Sequence, residues 1–292
     1  MSDDRPVAEK FRNLAFSKMT GSGNDFVFFD GRQVDASLLT RPQVIMAICN
    51  RHNGIGADGI VILEPIEAHT GEGGRESSQA RIHYFNSDGT PADLCGNATL
   101  CSTTMSIALG IADANGMGLE TPSGRISSRV IDGQPEIDLQ PVTSVIADID
   151  IARDHRETRI GFAVAGIPHV VVLCENADSV DLDSRGSLMR HHVATGPKGA
   201  NVNWVSPMNN GSWRYRTFER GVEAETLACG TGAVATAILL TAWGLASSPV
   251  RILASSGREL VVSLARSGGT WRPTLRGEGR VVFRGIIGDL DL

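Results

Sequence analysis

The first apolar positions of the chain fall in short runs that are rich in aromatic and β-branched residues, a composition typical of β-strands. These runs predict strands at Ala15–Met19, Phe26–Asp30, Gly59–Leu63 and Ala80–Phe85. One helix is predicted among them, over Pro42–Cys49. The polar residues 1–13 indicate a loose lead-in, and the polar, glycine-rich stretch Glu64–Gln79 predicts a surface loop.

Two longer helices are predicted, and each begins at a cysteine. The first follows Cys95 and ends near Gly110, and the second follows Cys229 and ends near Gly244. The second includes Gly232–Ala246, the longest apolar run of the chain. Because that run is too short to span a bilayer, it predicts a helix buried within its own domain.

The surroundings of these two cysteines repeat each other. Arg81-Ile-His-Tyr-Phe-Asn is followed by Ser-Asp-Gly and then by Cys95-Gly-Asn-Ala, whereas Arg214-Tyr-Arg-Thr-Phe-Glu is followed by Arg-Gly and then by Cys229-Gly-Thr-Gly. A Ser-Gly-Arg segment and a strand come next in both halves. The shared order of strand, polar turn, Cys-Gly, apolar helix and strand predicts two similar domains.

The length and net charge of the chain favour some classes of protein and exclude others. At 292 residues with 41% hydrophobic side chains, the chain is long enough for two domains of ordinary size. Its formal net charge of −6 argues against nucleic-acid binding, and no polybasic stretch suits an anionic membrane. The N-terminus lacks the apolar core of a signal peptide. We therefore expect a soluble, cytoplasmic protein that binds neither nucleic acid nor membrane.

The spacing of the cysteines and the scarcity of lysines make some kinds of catalytic chemistry less favourable than others. The cysteines are odd in number, widely spread and without a Cys-x-x-Cys pair, so we expect free thiols in a reducing compartment. They are Cys49, Cys95, Cys101, Cys174 and Cys229. Only 3 lysines stand against 24 arginines, and so few candidates for a Schiff base disfavour pyridoxal phosphate chemistry. An isolated cysteine is usually a small buried hydrophobe, which is our interpretation of Cys49, Cys101 and Cys174.

Cys95 and Cys229 differ from the other three because each precedes a glycine at the start of a predicted helix. The unpaired amides and positive dipole of a helix N-terminus stabilise a thiolate and can bind a carboxylate. Glycine after the cysteine permits close approach of the backbone to a ligand. Two such thiols from facing domains would flank one carbon, one removing a proton and the other delivering a proton to the opposite face. The pattern therefore indicates inversion of a stereocentre by proton transfer.

Four segments of the chain resemble the diaminopimelate epimerase family, and together they extend over most of it. They are Phe16-Ser-Lys-Met-Thr-Gly-Ser-Gly-Asn-Asp-Phe, Arg51-His-Asn-Gly-Ile-Gly-Ala-Asp-Gly, Phe85-Asn-Ser-Asp-Gly with Cys95-Gly-Asn, and Glu219-Arg-Gly-Val-Glu-Ala-Glu-Thr-Leu-Ala-Cys-Gly-Thr-Gly. The last segment is highly specific. The resemblance implies interconversion of LL- and meso-2,6-diaminopimelate, a step towards lysine and peptidoglycan precursors, with no cofactor and no metal.

The resemblance also implies a fold of the α/β (α+β) class. It has two pseudo-symmetric domains, each a curved, mainly antiparallel sheet wrapped around a central helix, with the active site in the interdomain cleft. We expect the N-terminal domain over residues 14–140, completed by a C-terminal strand at 280–292, and the second domain over residues 141–279. A homodimer is a further implication of the resemblance.

Carried over position by position, the resemblance makes Cys95 and Cys229 the two acid–base thiols. It implies substrate-binding roles for Asn24, Asn86, Gly96, Asn97, Asn201, Glu219, Arg220, Gly230 and Thr231. Four of these follow the cysteines directly and are expected to offer helix-terminus contacts to the α-carboxylate; they are Gly96, Asn97, Gly230 and Thr231. His169 and Glu219 are candidates for tuning the thiols.

The sequence departs from the family pattern at three places. Ile167 stands where many members carry asparagine, and Gly59 stands where some carry glutamine. After the first Cys-Gly-Asn, Ala98 and Leu100 replace the usual glycine and arginine. These changes leave the proton-transfer groups in place and bear on recognition of the distal end of the substrate.

Two other kinds of protein would share some of these features. A racemase of the same superfamily acting on another amino acid would share both thiols, although a proline racemase-like protein would carry histidine where Asn97 stands. A thiol-redox protein would use Cys95 and Cys229 as a reversible disulfide, which the lack of a Cys-x-x-Cys pair disfavours. His191-His192 suggests a metal, but no carboxylate or cysteine lies nearby at ligand spacing, so we expect a solvent-exposed pair.

Overall fold

The computed structural model describes residues 11–66, 79–92, 95–290 and 292. Most of the predicted lead-in over residues 1–13 and of the predicted loop over Glu64–Gln79 lies outside these residues. The strands are β1 (Ala15–Gly21), β2 (Asn24–Asp30), β3 (Gly59–Ile66), β4 (Gln79–Asn86), β5 (Met117–Thr121), β6 (Gly124–Ile131), β7 (Gln134–Asp138), β8 (Val145–Ile146), β9 (Glu157–Ala165), β10 (Ile167–Cys174), β11 (Asn201–Pro207), β12 (Trp213–Glu219), β13 (Ala224–Thr226), β14 (Val250–Leu253), β15 (Glu259–Ser267), β16 (Thr270–Arg276) and β17 (Arg280–Ile286). The α-helices are α1 (Ala36–Leu39), α2 (Pro42–Cys49), α3 (Gly96–Ala108), α4 (Leu182–Arg190) and α5 (Gly230–Ala242).

The elements predicted from the first apolar runs are confirmed. Helix α2 has the predicted bounds and begins at Pro42, where the missing N–H of proline costs the helix nothing. The four predicted strands correspond to β1, β2, β3 and β4, each two or three residues longer than predicted. The two helices predicted after the cysteines are α3 and α5, each of 13 residues.

The described residues fall into two compact units, one within Met1–Ile137 and Glu278–Leu292 and the other within Asp138–Gly277. In the first unit the strands hydrogen-bond in the order β17-β1-β2-β3-β4-β5-β6-β7. The β2–β3 and β4–β5 pairs are parallel, and the other pairs are antiparallel. The last strand of the chain, β17, thus lies beside β1, with Ile286 opposite Ala15.

The second unit repeats this sheet strand by strand. Its order is β8-β9-β10-β11-β12-β14-β15-β16, with β10–β11 and β12–β14 parallel and the other pairs antiparallel. Strand β13, which the sequence did not predict, forms a short hairpin with β12. At the corresponding place in the first unit there is an isolated bridge between Phe85 and Pro91.

Each unit wraps its sheet around one of the two cysteine-headed helices. Helix α3 packs against β1 to β6 and β17, and α5 packs against β9, β10, β11, β15 and β16. Both helices end in the same way. The N–H groups of Gly110 and Ile111 bond to the carbonyls of Ile107 and Ser106, and equivalent bonds follow α5. Gly110 (φ 66°) and Gly244 (φ 73°) take the left-handed conformation that this Schellman ending requires. The predicted fold class is confirmed.

A second helix covers the outer face of each sheet. Helix α2 connects the parallel strands β2 and β3, and its buried residues, among them Ile45 and Ile48, join a core with Phe29 and Ile62. Helix α4 connects the parallel strands β10 and β11 in the same way, around the fully buried Trp204. Within the described residues, each helix is too short or too polar to cross a membrane.

Candidate active site

Each candidate catalytic cysteine is the residue immediately before its central helix, and the two have nearly the same backbone conformation. Cys95 has φ −131° and ψ 115°, and Cys229 has φ −130° and ψ 110°. Neither side chain caps its own helix, so the thiols do not occupy the first-turn N–H groups, which also lack partners within the helix. These N–H groups belong to the predicted carboxylate-binding residues Gly96, Asn97, Gly230 and Thr231.

A hydroxyl group reinforces the carbonyl of each cysteine. The Cys95 carbonyl accepts the Thr99 backbone N–H and also Thr99 Oγ1, both at 2.9 Å. The Cys229 carbonyl accepts the first helical N–H at 3.0 Å and the Tyr215 hydroxyl at 3.2 Å. The surroundings of the two thiols nevertheless differ, since Cys95 is half-buried and Cys229 is only 6% exposed.

In the first unit, two predicted substrate-binding residues contact each other beside the start of α3. Asn97 Nδ2 donates to Asn24 Oδ1 at 2.6 Å, and Asn24 Nδ2 donates to Asp58 Oδ2 at 3.0 Å. Because a carboxylate accepts from Asn24, the orientation of both amides is determined. Asn97 is 2% exposed, and its Oδ1 has no hydrogen-bond partner among the described residues. Such a buried acceptor suits a donor group of a ligand, for example an ammonium.

Asp58 belongs to a charged cluster that the sequence did not reveal. Arg51 forms ion pairs with Asp58 at 2.7 Å and with Asp25 at 2.8 Å, and Lys18 Nζ lies 2.7 Å from the Asp25 carboxylate. Burial raises the pKa of Asp25, but the hydrogen bonds and charges of Arg51 and Lys18 outweigh it and hold this pKa at about 2. The segment from Arg51 to Asp58 therefore has a physical role, since it holds the amide of Asn24.

Asn86 and Gly59 lie opposite each other where β4 meets β3. Asn86 Nδ2 donates to Thr90 Oγ1 at 3.1 Å in the turn that follows β4. A Cβ atom on Gly59 would lie 2.4 Å from a backbone oxygen of β4 and 2.7 Å from Cε2 of Tyr84. Tyr84 thus takes the space that a larger residue at position 59 would need. Together with Cys95, Tyr84 also lines a cavity of about 10 Å³.

In the second unit, two predicted substrate-binding residues lie at the Cys229 sulfur. Asn201 Nδ2 approaches the Cys229 Sγ at 3.7 Å, and Thr231 Oγ1 lies 3.5 Å from the same sulfur. Asn201 Oδ1 accepts the backbone N–H of Arg220 at 2.9 Å, so the NH₂ group of this amide must face the sulfur. Hydrogen bonds to sulfur favour the charged form of a thiol.

Two further positions of the second unit correspond to polar residues of the first. Glu219 ends β12 as Asn86 ends β4, and it accepts a hydrogen bond from Thr226 Oγ1 at 2.7 Å. Ile167 begins β10 as Asn24 begins β2. The second unit thus has an apolar side chain where the first has an amide. Ile167, which replaces the asparagine of many family members, therefore removes a hydrogen-bonding group from this position.

His169 is fully buried on β10. Burial lowers the pKa of His169 to about 3, and the positive charge of Arg220 lowers it further. Its Nδ1 lies 3.3 Å from Asn203 Nδ2, and its Nε2 has no hydrogen-bond partner among the described residues. His169 therefore makes no hydrogen bond to the Cys229 sulfur here, and its role in tuning a thiol stays a prediction.

The remaining cysteines are buried, as we interpreted them. Burial raises the pKa of Cys49 to about 12 and that of Cys174 to about 11, and it raises the pKa of Cys101 well above its ordinary value. All three therefore stay protonated at neutral pH. His191 is exposed and His192 is half-buried. No group of three or more potential metal ligands occurs in the part of the chain that the structure describes.

Solved structures with this fold include enzymes that invert stereocentres. A hydroxyproline epimerase from Agrobacterium vitis superimposes with a TM-score of 0.64 at 18% identity, covering 95% of this chain and 94% of that chain. A phenazine biosynthesis protein of the PhzF family from Bacillus anthracis superimposes with a TM-score of 0.68 at 12% identity, covering 94% and 99%. At this level of identity the likeness shows the fold, which this chain shares with a hydroxyproline epimerase.

Relatives found by sequence show the family of this chain. A family model described as diaminopimelate epimerase matches residues 16–144 and 162–278. A diaminopimelate epimerase from Gemmatimonas aurantiaca is 60% identical over 286 residues, which are 95% of this chain and 100% of that protein. One from Hydrogenobaculum is 32% identical over 94% of this chain and 98% of that protein. The chain belongs to the diaminopimelate epimerase family, as the resemblance predicted, and the predicted isomerase class is confirmed.

Proposed function

We propose that this protein epimerises LL-2,6-diaminopimelate to the meso form, with Cys95 and Cys229 as the two proton-transfer groups. The observation that carries the proposal is the equal placement of the two thiols. Each precedes a 13-residue central helix with nearly the same φ and ψ, in a chain 60% identical to a relative named for this reaction. One cysteine acts as a thiolate that removes the α-proton, and the other acts as a thiol that delivers one.

The helix starts support the most difficult part of this reaction. Removing a proton beside a carboxylate places negative charge on the carboxylate oxygens. Backbone N–H groups at a helix N-terminus stabilise such charge. We assign this role to Gly96, Asn97, Gly230 and Thr231. In this assignment backbone N–H groups bind the α-carboxylate, and side chains bind the other polar groups of the substrate.

The polar side chains that the resemblance assigns to substrate binding suit the other groups of a diamino diacid. Glu219 is an anion for an ammonium group, and Arg220 is a cation for a carboxylate. Asn24, Asn86 and Asn201 are amides that both donate and accept hydrogen bonds. The two domains in this proposal are residues 14–140 together with 280–292, and residues 141–279.

Isotope exchange tests the reaction and its mechanism together. LL-diaminopimelate is incubated with the protein in D₂O, and the α-deuterium of product and unreacted substrate is measured by NMR at early times. With two bases we expect deuterium in the meso product and little in the remaining LL substrate, because the group that removes the proton is not the group that returns one. Equal early labelling of both isomers would contradict the two-thiol scheme.

A substrate panel separates this proposal from its alternatives. Histidine, proline, glutamate and lysine are tested beside LL-diaminopimelate under the same conditions. Turnover of diaminopimelate alone supports the proposal, and turnover of another amino acid in its place would indicate a different racemase of the superfamily. A thiol-redox protein would exchange no α-proton in any of them.

We also propose that the protein is a cytoplasmic homodimer. Strand β17 pairs with β1, and it carries the exposed apolar side chains Val282, Phe283 and Ile286. Light scattering should give twice the mass of the chain, and Phe283→Glu should lower it to the monomer. Val193→Glu, at an exposed position of the other unit, is the matched control.

A further inference from the structure

A buried asparagine, Asn203, uses all of its hydrogen-bonding groups behind the Cys229 site. Its side chain is fully buried on β11. Asn203 Oδ1 accepts from Thr217 Oγ1 at 3.0 Å, and it shares the single proton of the Tyr215 hydroxyl, also 3.0 Å away, with the Cys229 carbonyl. Asn203 Nδ2 donates to the Val170 carbonyl at 2.8 Å and faces His169 Nδ1 at 3.3 Å. An amide has two donor hydrogens and one acceptor oxygen, so this set of partners saturates it.

The Val170 carbonyl decides which way the amide points. A carbonyl oxygen only accepts hydrogen bonds, so the Asn203 atom 2.8 Å from it must be the NH₂ group. The same NH₂ group has its second hydrogen available for His169 Nδ1. That ring nitrogen must then be an acceptor, which means that it carries no proton.

The other ring nitrogen follows from this assignment. Neutral imidazole carries one proton, so an unprotonated Nδ1 places it on Nε2. Full burial keeps the ring neutral, in line with its pKa of about 3. The resulting Nε2–H is a buried donor that no described residue accepts. Buried donors in proteins are normally paired, so an acceptor on a bound molecule is its natural partner.

We infer that Asn203 is a positioning residue that holds His169 as the neutral tautomer with its proton on Nε2, so that the ring donates a hydrogen bond to the bound substrate and does not act as a base. The inference rests on the proposed function for the identity of that substrate. The tautomer itself is a property of the free protein.

The Asn203 cluster also reaches the thiol. The Tyr215 hydroxyl lies within hydrogen-bonding distance of both Asn203 Oδ1 and the Cys229 carbonyl. Burial raises the pKa of Tyr215 well above its usual value, so this phenol keeps its proton as a donor. Asn203 thus sits between the ring of His169 and the backbone of Cys229, and one residue adjusts the position of both.

Nitrogen NMR of the free protein tests the tautomer directly. Long-range proton–nitrogen spectra distinguish the protonated from the unprotonated ring nitrogen, and a His169→Gln spectrum assigns the His169 signals. We expect a protonated Nε2, an unprotonated Nδ1 and no titration of this ring between about pH 5 and 8. A proton on Nδ1, or a doubly protonated ring near pH 7, would overturn the inference whether or not the protein epimerises diaminopimelate.

Variants test whether Asn203 sets the tautomer. Asn203→Asp puts an oxygen where Nδ2 lies, so we expect the proton to move to Nδ1 and kcat to fall about a hundredfold, as when one preorganised donor is lost. Asn203→Leu serves if the aspartate variant does not fold, and a mixture of tautomers is then expected.

Thr217→Val is the matched control. It removes one donor to Asn203 Oδ1 and keeps both Nδ2 hydrogen bonds, so the tautomer should stay as it is. Reversal of the tautomer in Thr217→Val to the same extent as in Asn203→Asp would show that the Nδ2 donor does not set it, and would overturn the inference.

Discussion

Asn97 donates a 2.6 Å hydrogen bond to Asn24, and this contact joins the first turn of α3 to the first residue of β2. Asn24 is held in turn by Asp58 and, through it, by Arg51. A chain of polar contacts thus runs from an exposed arginine to the second residue after Cys95. The orientation of both amides is fixed, because Asp58 only accepts hydrogen bonds, so Asn24 donates to it and accepts from Asn97.

Asn24→Ala should therefore weaken catalysis more than stability. The variant releases the Asn97 amide, and we expect kcat/KM for diaminopimelate to fall at least tenfold, while the unfolding free energy falls by about 1 kcal/mol for the lost hydrogen bonds. Steady-state kinetics and urea unfolding measure the two effects. Asn53→Ala, at an exposed position after α2, should change neither. Equal losses in the two variants would contradict this view of Asn24.

Removing either thiol should abolish epimerisation. In Cys95→Ala and in Cys229→Ala we expect kcat to fall by at least about a hundredfold, the usual contribution of one acid–base group. Circular dichroism and urea unfolding should show that both variants fold. Cys174→Ala is the control, since it deletes a buried thiol of high pKa and should leave turnover intact. Substantial turnover in either single variant would refute the two-thiol mechanism.

The charge of Asp25 should stabilise the folded protein, and protonation of this carboxylate in acid should remove that stabilisation. Its pKa in the folded state, about 2, lies below its ordinary value of 3.8, so its contribution is complete above pH 4 and is lost as the pH falls towards 2. The difference corresponds to about 2 kcal/mol. Asp25→Asn should be less stable by about that amount at pH 7, and the gap should close in acid. Urea midpoints measured from pH 7 to pH 2 check this.

A surface aspartate provides the comparison for Asp25. Asp148 is paired with Arg159 in the open, where solvent screens the interaction. Asp148→Asn should change the urea midpoint little at any pH. A gap between Asp25→Asn and the unsubstituted protein that stays constant down to pH 2 would show that the charge of Asp25 does not stabilise the fold.

Gly232 should not tolerate alanine, although alanine normally stabilises a helix. A Cβ atom there would lie 2.2 Å from the Tyr215 hydroxyl oxygen and 2.5 Å from Asn203 Oδ1. We expect Gly232→Ala to lower the unfolding free energy by about 1–3 kcal/mol through overpacking. Gly116→Ala, where no atom lies within 4 Å of the added carbon, should have little effect. A stabilised Gly232→Ala would mean that the buried cluster has room to move.

Much of the fold near the cysteines could be predicted, because its signals are local. Pro42 and Gly110 mark helix ends through their own backbone preferences, and the repeated Cys-Gly segments revealed the two central helices. Strand β13 was missed because its three residues pair only across the turn after Glu219, and the sequence there reads as polar turn. Its pairing depends on β12, not on its own composition.

The polar clusters behind the thiols could not be predicted for a different reason. His169, Asn203 and Tyr215 are placed on three neighbouring strands, and their contact depends on the order and register of those strands. The resemblance named His169, but nothing in the sequence joined it to Asn203. In the same way, Lys18 and Arg51 belong to separate elements, and only the folded sheet brings both to Asp25.

The glycine endings of α3 and α5 distinguish the two ends of each helix. Because Gly110 and Gly244 let the chain fold back, backbone N–H groups beyond the helices satisfy carbonyls of the last turn, those of Ser106 and Ile107 in α3 and of Leu240 and Thr241 in α5. The first-turn N–H groups at the other end have no such partners within the helix and lie next to a cysteine. Each central helix therefore has a hydrogen-bonded C-terminus and an N-terminus whose N–H groups can bind negative charge.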